Sequence, residues 1–308
     1  MAGGETESDG MTTTMADAAD LALTQHLADL ADDFARRYLA TTSLTVCTKS
    51  DGSPVTDADR EIEHVLRSEI RRRHPRDAFV GEESGEQGAG SRRWIIDGID
   101  GIDGIDGIDG TASFIAGEPE WSTLIAVEDR GSITSGMVSA PALGNRWWAT
   151  RGAGAWTGPC PSRPGAPSHR LAITPNDDAH AATVGIWPPP HRLSESQRAI
   201  AAKLAGHVAR TRPALDWSTA ETTAPPPRKP STGSGTCHGG LLVATGQLDA
   251  FLLLGAGPWD IAALIPIVQE AGGTFSNLAG QQRTDTGAAL FARPNLHQQL
   301  LDVIAPGI

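Results

Sequence analysis

The feature that most constrains this chain is a predicted buried strand that runs directly into a row of evenly spaced aspartates. The segment begins Trp94-Ile-Ile and continues as Asp-Gly-Ile triplets until Thr111. Its aspartates are Asp97, Asp100, Asp103, Asp106 and Asp109. The pattern predicts a strand, an acidic corner and then a helix that starts near Thr111.

This acidic corner suggests a site for a metal ion and a phosphate. Carboxylates this close together repel one another, and all-oxygen ligands suit Mg²⁺ or Mn²⁺. The free backbone N–H groups at a helix start suit a phosphate. The simpler interpretation of a bare Asp-Gly repeat is a solvated loop, because both residues favour turns.

Composition limits the partners of such a site. The 308 residues suffice for one large domain or two halves, and a formal net charge of −12 argues against nucleic acid or an anionic membrane as a partner. The three cysteines lie far apart, which disfavours a structural zinc site or a disulfide framework. With neither a signal peptide nor a membrane-length apolar run, we expect a cytoplasmic protein.

A second acidic strand end precedes the repeat. The short apolar segment Ala78–Gly81 is predicted to be a strand, and it delivers Glu82, Glu83 and Ser84 at its end. If this strand and the one at Trp94 are parallel neighbours, both acidic ends lie at one edge of the sheet, where ligand sites of open α/β sheets occur.

The remaining segments are predicted to form two halves. We expect disorder over residues 1–14, an N-terminal half over 15–157 and a C-terminal half over 169–308, with a mobile loop at 216–235. The first half should hold helices at 15–40 and after Asp57, the proposed N-cap, and a β-meander over 121–156. The second half should hold strands at 171–174, 183–187 and 248–254. Its helices should lie at 194–207, from the segment Gly233–Gly239 through Gly246, and from Pro258 onward.

The glycine-rich segment Gly233–Gly239 superficially resembles a dinucleotide loop. No predicted strand precedes it and the glycine spacing differs from Gly-x-Gly-x-x-Gly, so we reject that interpretation.

Three ordered motifs resemble the signature segments of the inositol monophosphatase family. They are Val80-Gly-Glu-Glu-Ser84, Trp94-Ile-Ile-Asp97 together with Asp106-Gly-Ile-Asp-Gly-Thr111, and Trp259-Asp-Ile-Ala-Ala263 together with Glu270-Ala-Gly-Gly273. The resemblance covers nearly the whole chain from residue 15. Within the family, Val138–Gly144 with Trp147-Trp148 looks most like the histidinol-phosphatase branch, and Gly235-Thr236 with Leu248–Phe251 looks more like the general inositol-phosphate branch.

The resemblance implies an α+β fold, a layered α-β-α-β-α sandwich that is usually dimeric. It also implies Mg²⁺-dependent hydrolysis of a small phosphomonoester, with two or three Mg²⁺ ions and Mn²⁺ as a substitute. The implied metal ligands are Glu82, Asp106, the carbonyl of Ile108, Asp109 and Asp260. Glu82 and Thr111, with Asp59 in support, would orient and activate the attacking water. Backbone N–H groups of Gly110 and Thr111 would hold the phosphate, and Gly235 and Thr236 would contact the substrate.

Two departures from the family pattern stand out. The family reads Trp-x-x-Asp-Pro-x-Asp-Gly-Thr, whereas here Gly107 replaces the proline and nine extra residues separate Trp94 from Thr111. Asp106 is the preferred first aspartate because its spacing to Asp109 and Thr111 is intact, and Asp97 is the alternative. Relatives also often place a carboxylate just before Pro258, but Leu252–Gly257 contains none.

The leading hypothesis is a phosphatase for histidinol phosphate or inositol monophosphate, with broad specificity. The alternatives are a phosphatase for a nucleoside or sugar phosphate, and a catalytically impaired member with a binding or regulatory role. A Ca²⁺-binding repeat fails on spacing, because an EF-hand needs ligands at alternate positions and a closing glutamate.

Overall fold

Helices and two β-sheets alternate in layers. The computed structural model describes residues 6–41, 46–48, 54–100, 102–103, 108–161, 167–220 and 238–304, with the backbone alone at 6–17, 41, 48, 54–55, 100, 102–103, 108–109 and 112. The helices are α1 (Thr6–Thr41), α2 (Asp57–Arg73), α3 (Gly110–Ala116), α4 (Glu195–Ala205), α5 (Gly239–Ala244), α6 (Pro258–Ala262), α7 (Leu264–Glu270) and α8 (Leu296–Ile304). Short 3-10 helices cover Ala179–Ala181 and Pro190–Arg192.

The first half is built on a sheet of eight strands. Its strands and those of two small ladders are β1 (Val46–Thr48), β2 (Pro54–Thr56), β3 (Ala78–Gly81), β4 (Gly85–Gln87), β5 (Arg92–Asp100), β6 (Ile102–Asp103), β7 (Ile108–Asp109), β8 (Ser122–Asp129), β9 (Ser132–Ala140), β10 (Asn145–Thr150), β11 (Ala155–Pro159) and β12 (His169–Arg170). The sheet order is β12-β11-β10-β9-β8-β5-β3-β4, while β1 pairs with β2 and β6 with β7. Strands β3 and β5 are parallel neighbours, which meets the condition for bringing the two acidic segments to one edge.

The second half contains a sheet of five strands. They are β13 (Thr183–Trp187), β14 (Arg210–Arg212), β15 (Ala250–Leu254), β16 (Thr274–Ser276) and β17 (Ala288–Ala292), in the order β14-β13-β15-β17-β16. The parallel pairing of β13 with β14 and β15 and the antiparallel pairing of β17 make this a mixed sheet.

Three apolar clusters define the layers. One cluster joins α1 and α2 to the first sheet, where Ile62, Leu66 and Ile70 recur every four residues on the buried face of α2. A second fills the space between the two sheets with side chains of α5, α6 and α7. A third joins the second sheet to α4 and α8. The order α-β-α-β-α confirms the predicted fold class.

Several predicted boundaries differ from the structure. The first helix starts at Thr6, so residues 6–14, predicted to be disordered, are helical. No strand forms at 171–174. Instead, the first two residues of the predicted second half, His169 and Arg170, form β12 of the first sheet. The N-cap of α2 is Thr56 rather than Asp57, because Asp59 receives the backbone N–H of Thr56.

Most other predicted elements are confirmed, including the meander, β13, α4 and the helix that begins at Pro258. The loop predicted at 216–235 lies largely outside the described residues, and the division into halves remains a prediction. Across the described part of the chain, no helix is both long and apolar enough to cross a membrane.

Candidate active site

The two acidic strand ends meet at one edge of the first sheet. In the parallel pair β3 and β5, the last paired residues are Gly81 and Ile96, and Glu82 and Asp97 directly follow them. Asp97 is only 3% exposed, and Glu82 is half-buried. Strand β5 is irregular between Asp97 and Asp100, and irregularities of this kind often re-aim side chains next to active sites.

Asp59 and Thr111 face each other across this edge. The Thr111 hydroxyl lies 3.5 Å from Oδ1 of Asp59, while Oδ2 of Asp59 accepts the backbone N–H of Thr56 at 2.7 Å and its hydroxyl at 2.5 Å. Burial raises the pKa of Asp59 to about 6, although the hydrogen bonds from Thr56 oppose this shift and the charge of Glu83 adds to it. The predicted link between Asp59 and Thr111 is therefore present in the structure.

Thr111 also contacts the strand side of the repeat. Its hydroxyl lies 3.2 Å from the carbonyl oxygen of Ile99, a residue only 2% exposed. Between Ile99 and Thr111, strands β6 and β7 form an antiparallel ladder. In this ladder Ile102 pairs with Asp109, and Asp103 pairs with Ile108. The backbone after the repeat is thus brought back beside Ile99.

Asp260 lies in the first turn of α6, a helix that contacts β5. Its Oδ2 accepts the backbone N–H of Gly257 at 2.6 Å, which fixes the carboxylate at the helix N-terminus. Sequence reasoning missed the buried His238, whose Nδ1 accepts the backbone N–H of Gly240 at 3.1 Å. Burial lowers the pKa of His238 to about 3, against a hydrogen bond with the Asp260 backbone, so the imidazole is neutral.

Sequence reasoning also missed a buried acid, Glu63. It is 1% exposed and accepts the backbone N–H groups of Glu83 and Ser84 at 2.9 and 3.0 Å. The available signal was its spacing, since Glu63 follows Asp59 by one helical turn on α2.

The buried carboxylates of this region have the donor chemistry that a divalent metal ion prefers. Asp59, Glu63 and Asp97 are buried carboxylates, and carboxylate oxygen suits Mg²⁺. Among the side chains that the structure describes, no group of three His, Cys, Asp or Glu residues is placed to hold a metal ion. Asp106, Gly235, Thr236 and the side chain of Asp109 lie outside that set.

Comparison with known proteins gives one consistent result. The family model described as "Inositol monophosphatase family" matches residues 15–103 and 104–306. A histidinol-phosphatase of Mycobacterium tuberculosis is 34% identical over 94% of this chain and 98% of its own length. A histidinol-phosphatase of Streptomyces coelicolor is 35% identical over 92% of this chain and 95% of its own.

Solved structures agree on the fold. An inositol monophosphatase from Zymomonas mobilis superimposes with a TM-score of 0.68 at 22% identity, covering 93% of this chain and 98% of that one. The extragenic suppressor protein suhB from Bartonella henselae gives a TM-score of 0.70 at 22% identity, covering 94% and 100%. At this identity the likeness concerns the fold alone.

The family match and the relatives together identify the chain as a phosphoric monoester hydrolase. The chain belongs to the inositol monophosphatase family.

Proposed function

We propose that the chain is a Mg²⁺-dependent phosphatase that acts on a small phosphomonoester at the edge formed by β3, β5 and α3. The observation that carries the proposal is that Glu82 and Asp97 directly follow Gly81 and Ile96, the last paired residues of the parallel strands β3 and β5, together with the contact of Thr111 with Asp59. Paired metal ions in such sites activate water and stabilise both the attacking and the leaving oxygen.

In this proposal, different residues bind the metal, orient the attacking water and bind the phosphate. Glu82 and Asp260 would hold metal from the two halves, and Asp59 would accept the Thr111 hydroxyl so that Thr111 and Glu82 orient the attacking water. The backbone N–H groups of Gly110 and Thr111 would hold the phosphate.

For the first aspartate, the contacts of Thr111 support Asp97 rather than Asp106. Thr111 contacts the carbonyl of Ile99, which has the same spacing to Asp97 as Ile108 has to Asp106. Asp97 is buried, and it directly follows Ile96, whose ladder partner Gly81 directly precedes Glu82. We therefore propose Asp97 and the carbonyl of Ile99 as metal ligands, in place of Asp106 and Ile108.

The repeat provides a matched pair of variants for this proposal, because Asp97 and Asp106 are both followed by Gly-Ile-Asp-Gly. Turnover of generic phosphomonoesters should need Mg²⁺ and stop in EDTA. We expect Asp97→Asn to lower turnover on the order of a hundredfold, since removal of a metal ligand costs several kcal/mol of transition-state stabilisation.

We expect the turnover of the Asp106→Asn variant to stay close to that of the parent protein. The reverse result would restore Asp106 as the ligand, and a parent with no Mg²⁺-dependent turnover would favour a catalytically impaired member with a binding role. The same comparison between Asp100→Asn and Asp109→Asn identifies the second aspartate.

The relatives named histidinol-phosphatase support histidinol phosphate as the first substrate to test, followed by inositol monophosphate and then nucleoside and sugar phosphates. Leu253 is buried in β15, and Leu252–Gly257 offers no carboxylate to a hydroxyl or an amine. Because a site without such a polar partner discriminates weakly, we expect kcat/KM values of similar size across these esters. A strong preference for histidinol phosphate alone would contradict that expectation. A homodimer in the cytoplasm remains part of the proposal.

A further inference from the structure

Helix α2 carries two buried acids, one turn apart, that serve two different parts of the proposed site. Asp59 faces Thr56 and Thr111, whereas Glu63 faces the turn that follows β3. Residues four apart lie on the same side of a helix, so a single rigid element contacts both the start of α3 and the end of β3.

Glu63 receives three hydrogen bonds from this turn. Its Oε1 accepts the N–H of Glu83 at 2.9 Å, and its Oε2 accepts both the N–H of Ser84 at 3.0 Å and the hydroxyl of Ser84. Every donor belongs to one of the two residues that directly follow Glu82. The carboxylate thus binds the backbone on the C-terminal side of the proposed metal ligand.

The approach of β3 to α2 is unusually close at this point. A Cβ atom at Gly81 would lie only 2.4 Å from Oε2 of Glu63, so the glycine before Glu82 allows the contact. A carboxylate that is 1% exposed is costly to bury unless hydrogen bonds compensate it. The three donors of the turn offset part of this cost, although burial still raises the pKa of Glu63.

We propose that Glu63 is a positioning residue that fixes Glu82 relative to Thr111 through the turn after β3. The inference rests on the proposed function, in which Glu82 holds metal. Groups that orient metal ligands typically change metal affinity by about 10–100-fold when they are removed. A displacement of about 1 Å can lower a catalytic rate roughly a hundredfold.

The decisive variant is Glu63→Gln, which keeps the side-chain size. One carboxylate oxygen becomes an NH₂ group, which cannot accept a hydrogen bond. The variant therefore loses either the bond from the N–H of Glu83 or those from the N–H and the hydroxyl of Ser84. The matched control is Asp32→Asn. Asp32 is an equally buried carboxylate, 1% exposed, that accepts hydrogen bonds from Ser139 and Arg146.

The experiment measures the Mn²⁺ dissociation constant by titration of the metal-free full-length protein, together with the melting temperature. We expect both variants to melt at lower temperature, while only Glu63→Gln weakens Mn²⁺ binding, by about 10–100-fold. Ser84→Ala removes one of the three donors and should weaken binding in the same direction by a smaller factor, which keeps the test valid if Glu63→Gln does not fold.

The inference is overturned if Glu63→Gln, or Ser84→Ala in its place, binds Mn²⁺ as the control does. A parent protein that binds no Mn²⁺ and hydrolyses no phosphate ester would overturn the proposed function itself, and this inference with it. A parent that binds and hydrolyses normally alongside an unaffected Glu63→Gln variant would overturn the positioning role alone.

Discussion

At the scale of the residue, Asp59 shows how one side chain couples folding to chemistry. It is 5% exposed, and burial raises its pKa from 3.8 to about 6. The folded chain therefore holds a proton that the unfolded chain has released between about pH 4 and 6. Because the folded state binds more protons in this range, the contribution of Asp59 to stability falls as pH rises through it.

We expect Asp59→Asn to remove this dependence. In EDTA, the free energy of unfolding of the parent should fall relative to that of the variant between pH 4 and 6, by on the order of 3 kcal/mol from the shift in pKa. Urea unfolding of both proteins at several pH values measures the difference. Parallel stability curves for parent and variant would show that Asp59 does not titrate in this range.

The residue contacts also separate what the sequence could predict from what it could not. The pairing of Asp59 with Thr111 followed from motif resemblance, and the strand end at Glu82 followed from an apolar run that ends in acids. Glu63 was missed because its partners include a backbone N–H 20 residues away, that of Glu83, and His238 was missed because its partner is also a backbone group, the N–H of Gly240. A sequence pattern records side-chain types but not which backbone N–H they will meet.

At the scale of the element, the ladder of β6 and β7 explains how nine extra residues fit beside a site. The ladder closes the insertion on itself, so that Thr111 returns to the carbonyl of Ile99. Strand β5 was predicted only as far as Ile96, because Asp-Gly sequences favour turns, yet it continues to Asp100 through pairing with β8. Tertiary pairing overrode the local preference.

Deletion of nine residues, Ile99 to Gly107, should leave a folded and active enzyme. The product reads Trp-Ile-Ile-Asp-Gly-Ile-Asp-Gly-Thr, which matches the family pattern except at the proline. Closing a shorter loop costs slightly less entropy, about 0.6 kcal/mol for each halving of length. We therefore expect a melting temperature and a Mg²⁺-dependent turnover at least equal to those of the parent. A folded deletion variant without metal-dependent activity would show that the added triplets have become part of the site.

At the scale of the whole molecule, Glu270 links helix α7 to the first sheet. This last residue of α7 accepts the N–H of Gly152 at 2.7 Å and that of Gly154 at 2.8 Å, in the turn between β10 and β11 of the first sheet. Both glycines have positive φ, which leaves their N–H groups free to point at one carboxylate. The sequence identified Glu270 as part of a family motif, and the structure gives it a stabilising role between layers.

Glu270→Gln should therefore lower stability without affecting chemistry. One of the two N–H donors would face an NH₂ group, and hydrogen bonds to charged groups contribute about 1.5–3 kcal/mol. We expect a loss of that size in urea unfolding, with turnover at saturating Mg²⁺ unchanged. An unchanged free energy of unfolding would show that solvent replaces the contact at no cost.

The closed ladder of β6 and β7 also bears on how the gene can vary. Because the triplets are identical, losing any three consecutive copies gives the same protein. We expect that gaining one lengthens the insertion and leaves Thr111 in contact with the carbonyl of Ile99. Chains with different copy numbers should thus share one active-site geometry. Length variation in steps of three residues is expected to be selectively neutral at a place where single substitutions are not.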